Sequence, residues 1–414
     1  MTPTPPTNLI PSAAGRRGDD PIFALNAEAQ RRARAGESIV NATLGALMED
    51  DGTLAVMPAV IDALARVPAR QAAAYAPIHG DAAFLRAVVD DVFGAGSALA
   101  AQTVAAATPG GTGALHHAVT TWLEPGQALL TTSFFWGPYQ TIATHARRTV
   151  ETFAMFDGAG RFDVAGFEQG LERLIERQGR ALVFLNTPCH NPTGYSLDDA
   201  EWSALADVVR RASERAPLAL LVDLAYARFG SPASQAWTRH VATMVDPAVV
   251  LVAWTASKSF AQYGARVGAL LAVHPDAAER ERTSTALGFA CRGTWSNCNH
   301  LGLLAITALL TEPAARARAE EERARLIGLL DERVQAFNRE AARAGLRHPR
   351  YEGGFFVSVF TADAERTAAS MREQGVFVVP LEGAVRVALC STAARDVPRL
   401  VGALAAGVAA AEER

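Results

Sequence analysis

The chain has 414 residues, 50% of them hydrophobic and 20% charged, with a formal net charge of −4. That length exceeds what one small core needs, so one large domain plus a smaller one is expected. The mildly acidic balance gives no electrostatic case for binding nucleic acid or an anionic membrane.

Residues 1–21 are rich in Pro, Thr and Gly and lack the apolar run of a signal peptide, so 1–20 is expected to be a flexible arm. No apolar stretch reaches the length of a membrane span. The cysteines Cys189, Cys291, Cys298 and Cys390 have neither metal-type nor C-x-x-C spacing. They read as reduced residues of a cytoplasmic protein, and no metal site is expected.

Between about residues 100 and 275, short apolar runs alternate with amphipathic helices. The segment from Thr108 to Leu115, Thr-Pro-Gly-Gly-Thr-Gly-Ala-Leu, opens a helix that continues through His116 and His117. Glycines let the backbone approach an anion, and the free N–H groups of a helix start point at it. Alone, however, the segment reads as an ordinary Gly-rich turn. A strand is expected at 128–132, followed by Trp136. A flat indole suits the face of an aromatic cofactor, but a lone aromatic more often belongs to a core.

The next strand, 181–186, runs into Asn186-Thr-Pro-Cys-His190-Asn191-Pro-Thr-Gly194. Asn191 could donate its amide to a ligand or simply form a turn before proline. A helix is expected over 197–214, with Ser196 as N-cap and Asp198 and Asp199 in the first turn. Its apolar stripe is Trp202, Leu205, Val208, Val209 and Ala212. The strand at 218–224 carries Asp223, with Tyr226 just beyond it. A carboxylate there is costly unless it meets a cation, either a protonated pyridine nitrogen or an internal arginine.

Strands at 249–254 and 267–273 flank Thr255-Ala-Ser257-Lys258 and Gly264-Ala-Arg266. A desolvated lysine loses its proton more easily and can form a Schiff base. Hydroxyls and an arginine beside it suit a phosphate, which points to pyridoxal phosphate. By itself the segment is equally a loop lysine beside a strand. Strand–helix alternation argues for a mainly parallel sheet covered on both faces, with ligands beyond the carboxyl ends of its strands.

Residues 312–343 read as one long helix, and short strands follow at 354–360, 376–379 and 386–389. Arg386 lies inside an apolar strand and needs an anion, either a substrate carboxylate or an internal acid.

The ordered set of Gly-Gly-Thr-Gly-Ala, Asn-Pro-Thr-Gly, Asp-x-Ala-Tyr and the lysine segment resembles the class I aminotransferases of pyridoxal phosphate fold type I. The match runs over about residues 36 to 395. Leu44-Gly45, Asp50-Asp51-Gly52, Tyr75-Ala-Pro-Ile-His-Gly80, His190 and Arg292-Gly-Thr-Trp295-Ser296-Asn297 resemble the aspartate/aromatic branch. The resemblance implies an α/β fold with a large pyridoxal-phosphate domain (45–312) and a small α/β domain (21–44 with 313–414). It implies that Lys258 carries the Schiff base and shuttles the proton, and that Asp223 pairs with the pyridinium nitrogen. Tyr226 and Asn191 would bond the ring oxygen, and Trp136 would stack on the ring. Gly111, Thr112, Thr255, Ser257 and Arg266 would hold the phosphate. Tyr75 would reach the phosphate of a second subunit, which implies a homodimer with shared sites. Arg386 would bind the substrate α-carboxylate, with Asn191, Trp136 and Gly45 beside the substrate. Arg292 of the other subunit would bind a distal carboxylate.

Two segments depart from the branch. Gly45-Ala-Leu-Met stands where Gly-x-Tyr-Arg is usual, and Cys298-Asn299 stands where prolines are usual. Both lie near the substrate side chain in the family, and the lost polar groups argue against strict dicarboxylate specificity. The expected reaction is ping-pong transamination between an L-amino acid (aspartate, glutamate or aromatic) and a 2-oxo acid. The alternatives are a specialised lyase, decarboxylase or cyclase of the same fold, or a non-catalytic ligand sensor.

Overall fold

The computed structural model describes residues 7–16 and 21–412. A seven-stranded sheet organises it: β1 (Thr103–Pro109), β2 (Ala128–Thr132), β3 (Thr149–Phe153), β4 (Ala181–Asn186), β5 (Leu218–Asp223), β6 (Val249–Thr255) and β7 (Val267–Val273). Their spatial order is β1-β7-β6-β5-β4-β2-β3. The pairs from β6 across to β3 are parallel, and β7 runs antiparallel to both β6 and β1. Helices cover both faces, so central strands are continuous apolar runs rather than alternating ones. Leu220, Val222, Val250 and Val252 pack into the core on one face, and Leu221, Leu251 and Ala253 into the core on the other.

Three of the five expected strands in this sheet keep their bounds. The strand expected at 218–224 ends at Asp223, and the one at 249–254 extends to Thr255. β1 and β3 were not expected. β1 reads Thr-Val-Ala-Ala-Ala-Thr-Pro, poor in β-formers, and is a strand because all seven residues pair with β7. β3 is an edge strand with most of its residues only partly covered.

The helix expected from residue 197 spans Asp199–Ser213, and its N-cap is Asp198, not Ser196. The Asp198 carboxylate accepts from Glu201 N at 2.9 Å, and the Glu201 carboxylate accepts from Asp198 N at 2.8 Å. This reciprocal box outcompetes a serine cap. The Ser196 hydroxyl instead accepts from Cys189 N at 2.9 Å.

The long helix is Pro313–Arg343. Beyond it β8 (Phe356–Phe360), β9 (Val379–Leu381) and β10 (Ala384–Ala388) form an antiparallel sheet ordered β9-β10-β8. The strand expected at 376–379 is split: Val376–Phe377 pairs in parallel with Val40–Asn41, and Val379 pairs with Arg386. The segment before Gly45 is thus hydrogen-bonded to the C-terminal part. The expected arm at 1–20 lies partly outside the described residues; within them Pro11–Ala14 makes one exposed helical turn. Among the described residues no helix is long and apolar enough to cross a membrane.

Candidate active site

The carboxyl ends of β4, β5 and β6 deliver Asn186, Asp223 and Thr255 to one edge of the large sheet. Because β7 is antiparallel, its start returns Arg266 to that same edge. The helix Gly110–Trp122 also begins there, directly after β1. These elements line one cavity of about 350 Å³. Its wall includes twelve of the fourteen candidates: Gly45, Gly111, Thr112, Trp136, Asn191, Asp223, Tyr226, Thr255, Ser257, Lys258, Arg266 and Arg386.

Lys258 sits on the single helical turn Ala256–Ser259, which follows β6 without a linker. Thr255 starts that turn, its hydroxyl accepting from Ser257 N at 3.1 Å and donating to Ser257 Oγ at 3.0 Å. Arg266 donates to Ser257 Oγ at 3.2 Å and to Tyr263 O at 2.9 Å. The lysine Nζ lies 5.1 Å from the ring centre of Tyr263 and 5.7 Å from that of Tyr226. Burial, and then the Arg266 charge, lower the Lys258 pKa to about 8.

Asp223 is 4% exposed. Its Oδ2 accepts from the Tyr139 hydroxyl at 2.8 Å and its Oδ1 from Ala225 N at 3.1 Å. Burial raises its pKa, while these two donors favour the ionised form. Beside it, Asn191 Nδ2 donates to the Tyr226 hydroxyl at 3.4 Å. Asn191 Oδ1 is buried without a hydrogen-bond partner among the described residues.

Arg386, on β10, is 6% exposed. Its Nη2 donates to Thr43 O at 2.7 Å, and its guanidinium lies 4.5 Å from the ring centre of Phe356. Gly45 faces the same phenylalanine, whose Cζ would be 2.7 Å from a Cβ at that position. Next to the candidates Gly111 and Thr112, Gly110 has φ +69°, and a Cβ there would meet Arg266 Nη2 at 2.6 Å. Backbone and guanidinium thus approach as closely as an anion cradle requires.

Two candidates lie elsewhere. Tyr75 is 89% exposed, and the exposed Arg292 donates to Ser296 Oγ at 2.5 Å. Neither lines the cavity of its own chain. Among the described residues no cluster of His, Cys, Asp or Glu is arranged to hold a metal.

The family model of the class I and II aminotransferases matches residues 38–404. The chain belongs to this family. It is an enzyme that transfers amino groups. It is 30% identical over 336 residues to the aromatic-amino-acid aminotransferase of Pseudomonas aeruginosa, covering 79% of this chain and 81% of that one. An aminotransferase structure from Anaerococcus prevotii superposes with a TM-score of 0.91 at 29% identity, over 97% of this chain and 99% of the other. The Burkholderia pseudomallei aromatic-amino-acid aminotransferase, solved covalently bound to pyridoxal phosphate, superposes with a TM-score of 0.81 at 26% identity, over 96% and 99% of the two chains.

Several residues of this aminotransferase's cavity escaped the sequence reading. Asn186 donates from Nδ2 to Asp223 O at 2.9 Å and accepts from Asn191 N at 2.6 Å, tying the two strand ends together. Its place at the end of an apolar strand, in register with Asp223, was the available signal. Tyr139, three residues after Trp136, stands behind the cavity wall and reaches it through its bond to Asp223. Ile22, Phe23 and Leu115 also line the cavity. Ile22 and Phe23 come from far away in sequence, on the helix Pro21–Arg34.

Proposed function

We propose that this chain is a homodimeric, cytoplasmic, pyridoxal-phosphate-dependent aminotransferase. Its donor is an L-amino acid with an aromatic or bulky apolar side chain, and its acceptor is a 2-oxo acid. The reaction runs as two half-reactions at one site, in ping-pong order. We assign residues 45–312 to a cofactor-binding domain and 21–44 with 313–414 to a small domain, on the strength of the pairing of Val40–Asn41 with Val376–Phe377.

The observation that carries the reading is Lys258, with its pKa lowered to about 8, facing the same cavity as the buried carboxylate of Asp223. The residues fit the cofactor. A buried carboxylate calls for a cation such as a protonated ring nitrogen, Asn191 lines the cavity with an Oδ1 that has no partner among the described residues, and the Gly110–Arg266 approach forms an anion cradle. When bound, the cofactor supplies an electron sink for a carbanion at the substrate Cα.

The chain's own groups do the rest. The Lys258 amine would hold the cofactor and, as a free amine, would take the Cα proton and return it. Asp223 keeps the ring nitrogen protonated. Asn191 and Tyr226 hold the ring oxygen, and Trp136 covers the ring. Arg266, Thr255, Ser257, Gly111 and Thr112 hold the phosphate. Arg386 grips the α-carboxylate. A second copy would add Tyr75 and Arg292, both exposed here.

The substrate class follows from the wall. Among its described residues only Asp223, Lys258, Arg266 and Arg386 are charged, and Ile22, Phe23, Leu44, Leu115 and Pro138 are apolar. All four charges have tasks toward cofactor or α-carboxylate, so this chain leaves an apolar surface for the side chain.

The test is a single-turnover spectrum of the pyridoxal phosphate form mixed separately with Phe, Tyr, Ala, Asp and Glu, without acceptor. Fast loss of the cofactor–lysine band with Phe and Tyr is expected. Faster loss with Asp or Glu would replace the donor class and implicate the partner's Arg292. Release of ammonia or CO₂ without an added 2-oxo acid would replace transamination by elimination or decarboxylation.

A further inference from the structure

We propose that Tyr139 is a positioning residue of this reaction, one side chain that fixes both the Asp223 carboxylate and the Trp136 indole. The proposal rests on the cofactor reading above. Tyr139 does not line the cavity, so it acts only through these two neighbours.

The geometry gives it little freedom. Tyr139 is 1% exposed and belongs to the first turn of the helix Pro138–His145. Its ring stands at 90° to Trp136 with centres 5.9 Å apart, and at 78° to Phe184 with centres 5.2 Å apart. Edge-to-face packing of this kind fixes ring planes. The only polar atom of the side chain donates to Asp223 Oδ2 at 2.8 Å.

The terminal torsion of an aspartate is soft and set largely by its partners. Ala225 N holds Oδ1 and Asn186 holds the backbone carbonyl, which leaves the Tyr139 hydroxyl as the hydrogen-bond partner of Oδ2 among the described residues. Burial works against the ionised form of Asp223, and the Tyr139 hydroxyl is the largest of the groups opposing it. Burial and the adjacent carboxylate in turn keep that hydroxyl protonated, so it remains a donor. A hydrogen bond to a charged group in a dry site is among the stronger side-chain interactions.

The experiment titrates the apoenzyme with pyridoxal phosphate, following the cofactor absorption band, for wild type, Tyr139→Phe, Tyr139→His, Asp223→Asn and Asp223→Asn/Tyr139→Phe. Tyr139→Phe is expected to raise the cofactor Kd roughly 10- to 100-fold, the loss of one charge-assisted hydrogen bond. It should lower kcat with little change in KM for the donor. Tyr139→His retains a ring and a donor and should recover most of the affinity. In the Asp223→Asn background, Tyr139→Phe should add less than about twofold, because its target charge is gone.

A Tyr139→Phe Kd within about twofold of wild type, or an equal effect in both backgrounds, would overturn the proposal. So would Tyr139→His losing the cofactor as badly as the phenylalanine, a comparison that stands even if the phenylalanine variant folds poorly. Wild type failing to bind pyridoxal phosphate would overturn the cofactor reading and this inference with it, whereas wild-type binding with an indifferent Tyr139→Phe would sink this inference alone.

Discussion

Around Asp223 and Lys258, side chains rise from adjacent strand ends, are largely buried and hold one another: Tyr139 and Ala225 on Asp223, Asn186 on Asn191, Arg266 on Ser257. Phe23, Tyr75 and Arg292 differ in origin and exposure. They come from a helix start, a loop and a helix end, and all three are exposed. The first group is complete within one chain and coupled to its core. The second meets solvent in the single chain. On the roles proposed above, chemistry common to many substrates lies in the buried region, and selectivity in the region that is cheap to change.

The largest expected effect breaks the buried region. Lys258→Ala should lower kcat by about 10³-fold or more, with the far-UV circular dichroism unchanged, since both the nucleophile and the proton carrier are lost. Substantial turnover by this variant would end the assignment. Mixing it with Tyr75→Ala subunits under exchange conditions sharpens the comparison. A hybrid dimer has one site with both Lys258 and the partner's Tyr75 intact, so part of the activity should return. No recovery on mixing would argue that each chain works alone.

The buried region was also the one most legible in sequence. Lys258, Asp223, Asn191 and Arg266 sit next to apolar runs whose strand character local pattern reveals, so their convergence at one edge follows from topology. Harder to read were elements decided by distant partners. β1 is Ala-rich and becomes a strand only through β7, and Ser196 was displaced as cap by the Asp198–Glu201 box. Tyr139 carries no motif of its own, since its bond to Asp223 joins residues 84 positions apart. Ile22 and Phe23 reach the cavity by the return of the N-terminal helix onto the C-terminal part, which no local spacing encodes.

A smaller effect is set by pH. Burial and the Arg266 charge hold the Lys258 pKa near 8, below its ordinary 10.5, so the reactive amine is a minority below pH 8. Capture of pyridoxal phosphate by the apoenzyme should quicken about tenfold per pH unit up to about 8 and level off above it. Stopped-flow absorbance measures this, and a plateau only near 10.5 would mean that Lys258 is not desolvated. The stability sign is consistent. The unfolded chain binds this proton more tightly, so this group destabilises the apoenzyme below about pH 8, and that penalty is relieved as pH rises toward 10.5.

The smallest effect concerns the exposed region and tests selectivity rather than chemistry. Phe23 is 65% exposed, so Phe23→Ala should leave the melting temperature nearly unchanged. If its ring covers the donor's side chain, the loss falls only on donors that reach it. One apolar contact in a specificity pocket is worth about 1–3 kcal/mol, and partial solvent exposure favours the low end. The kcat/KM for Phe and Tyr should therefore fall about 3- to 10-fold, while that for Ala stays put. An equal fall for all three donors would show that Phe23 serves a step common to every donor rather than the choice of substrate, and would shift the specificity argument to Leu44 and Leu115.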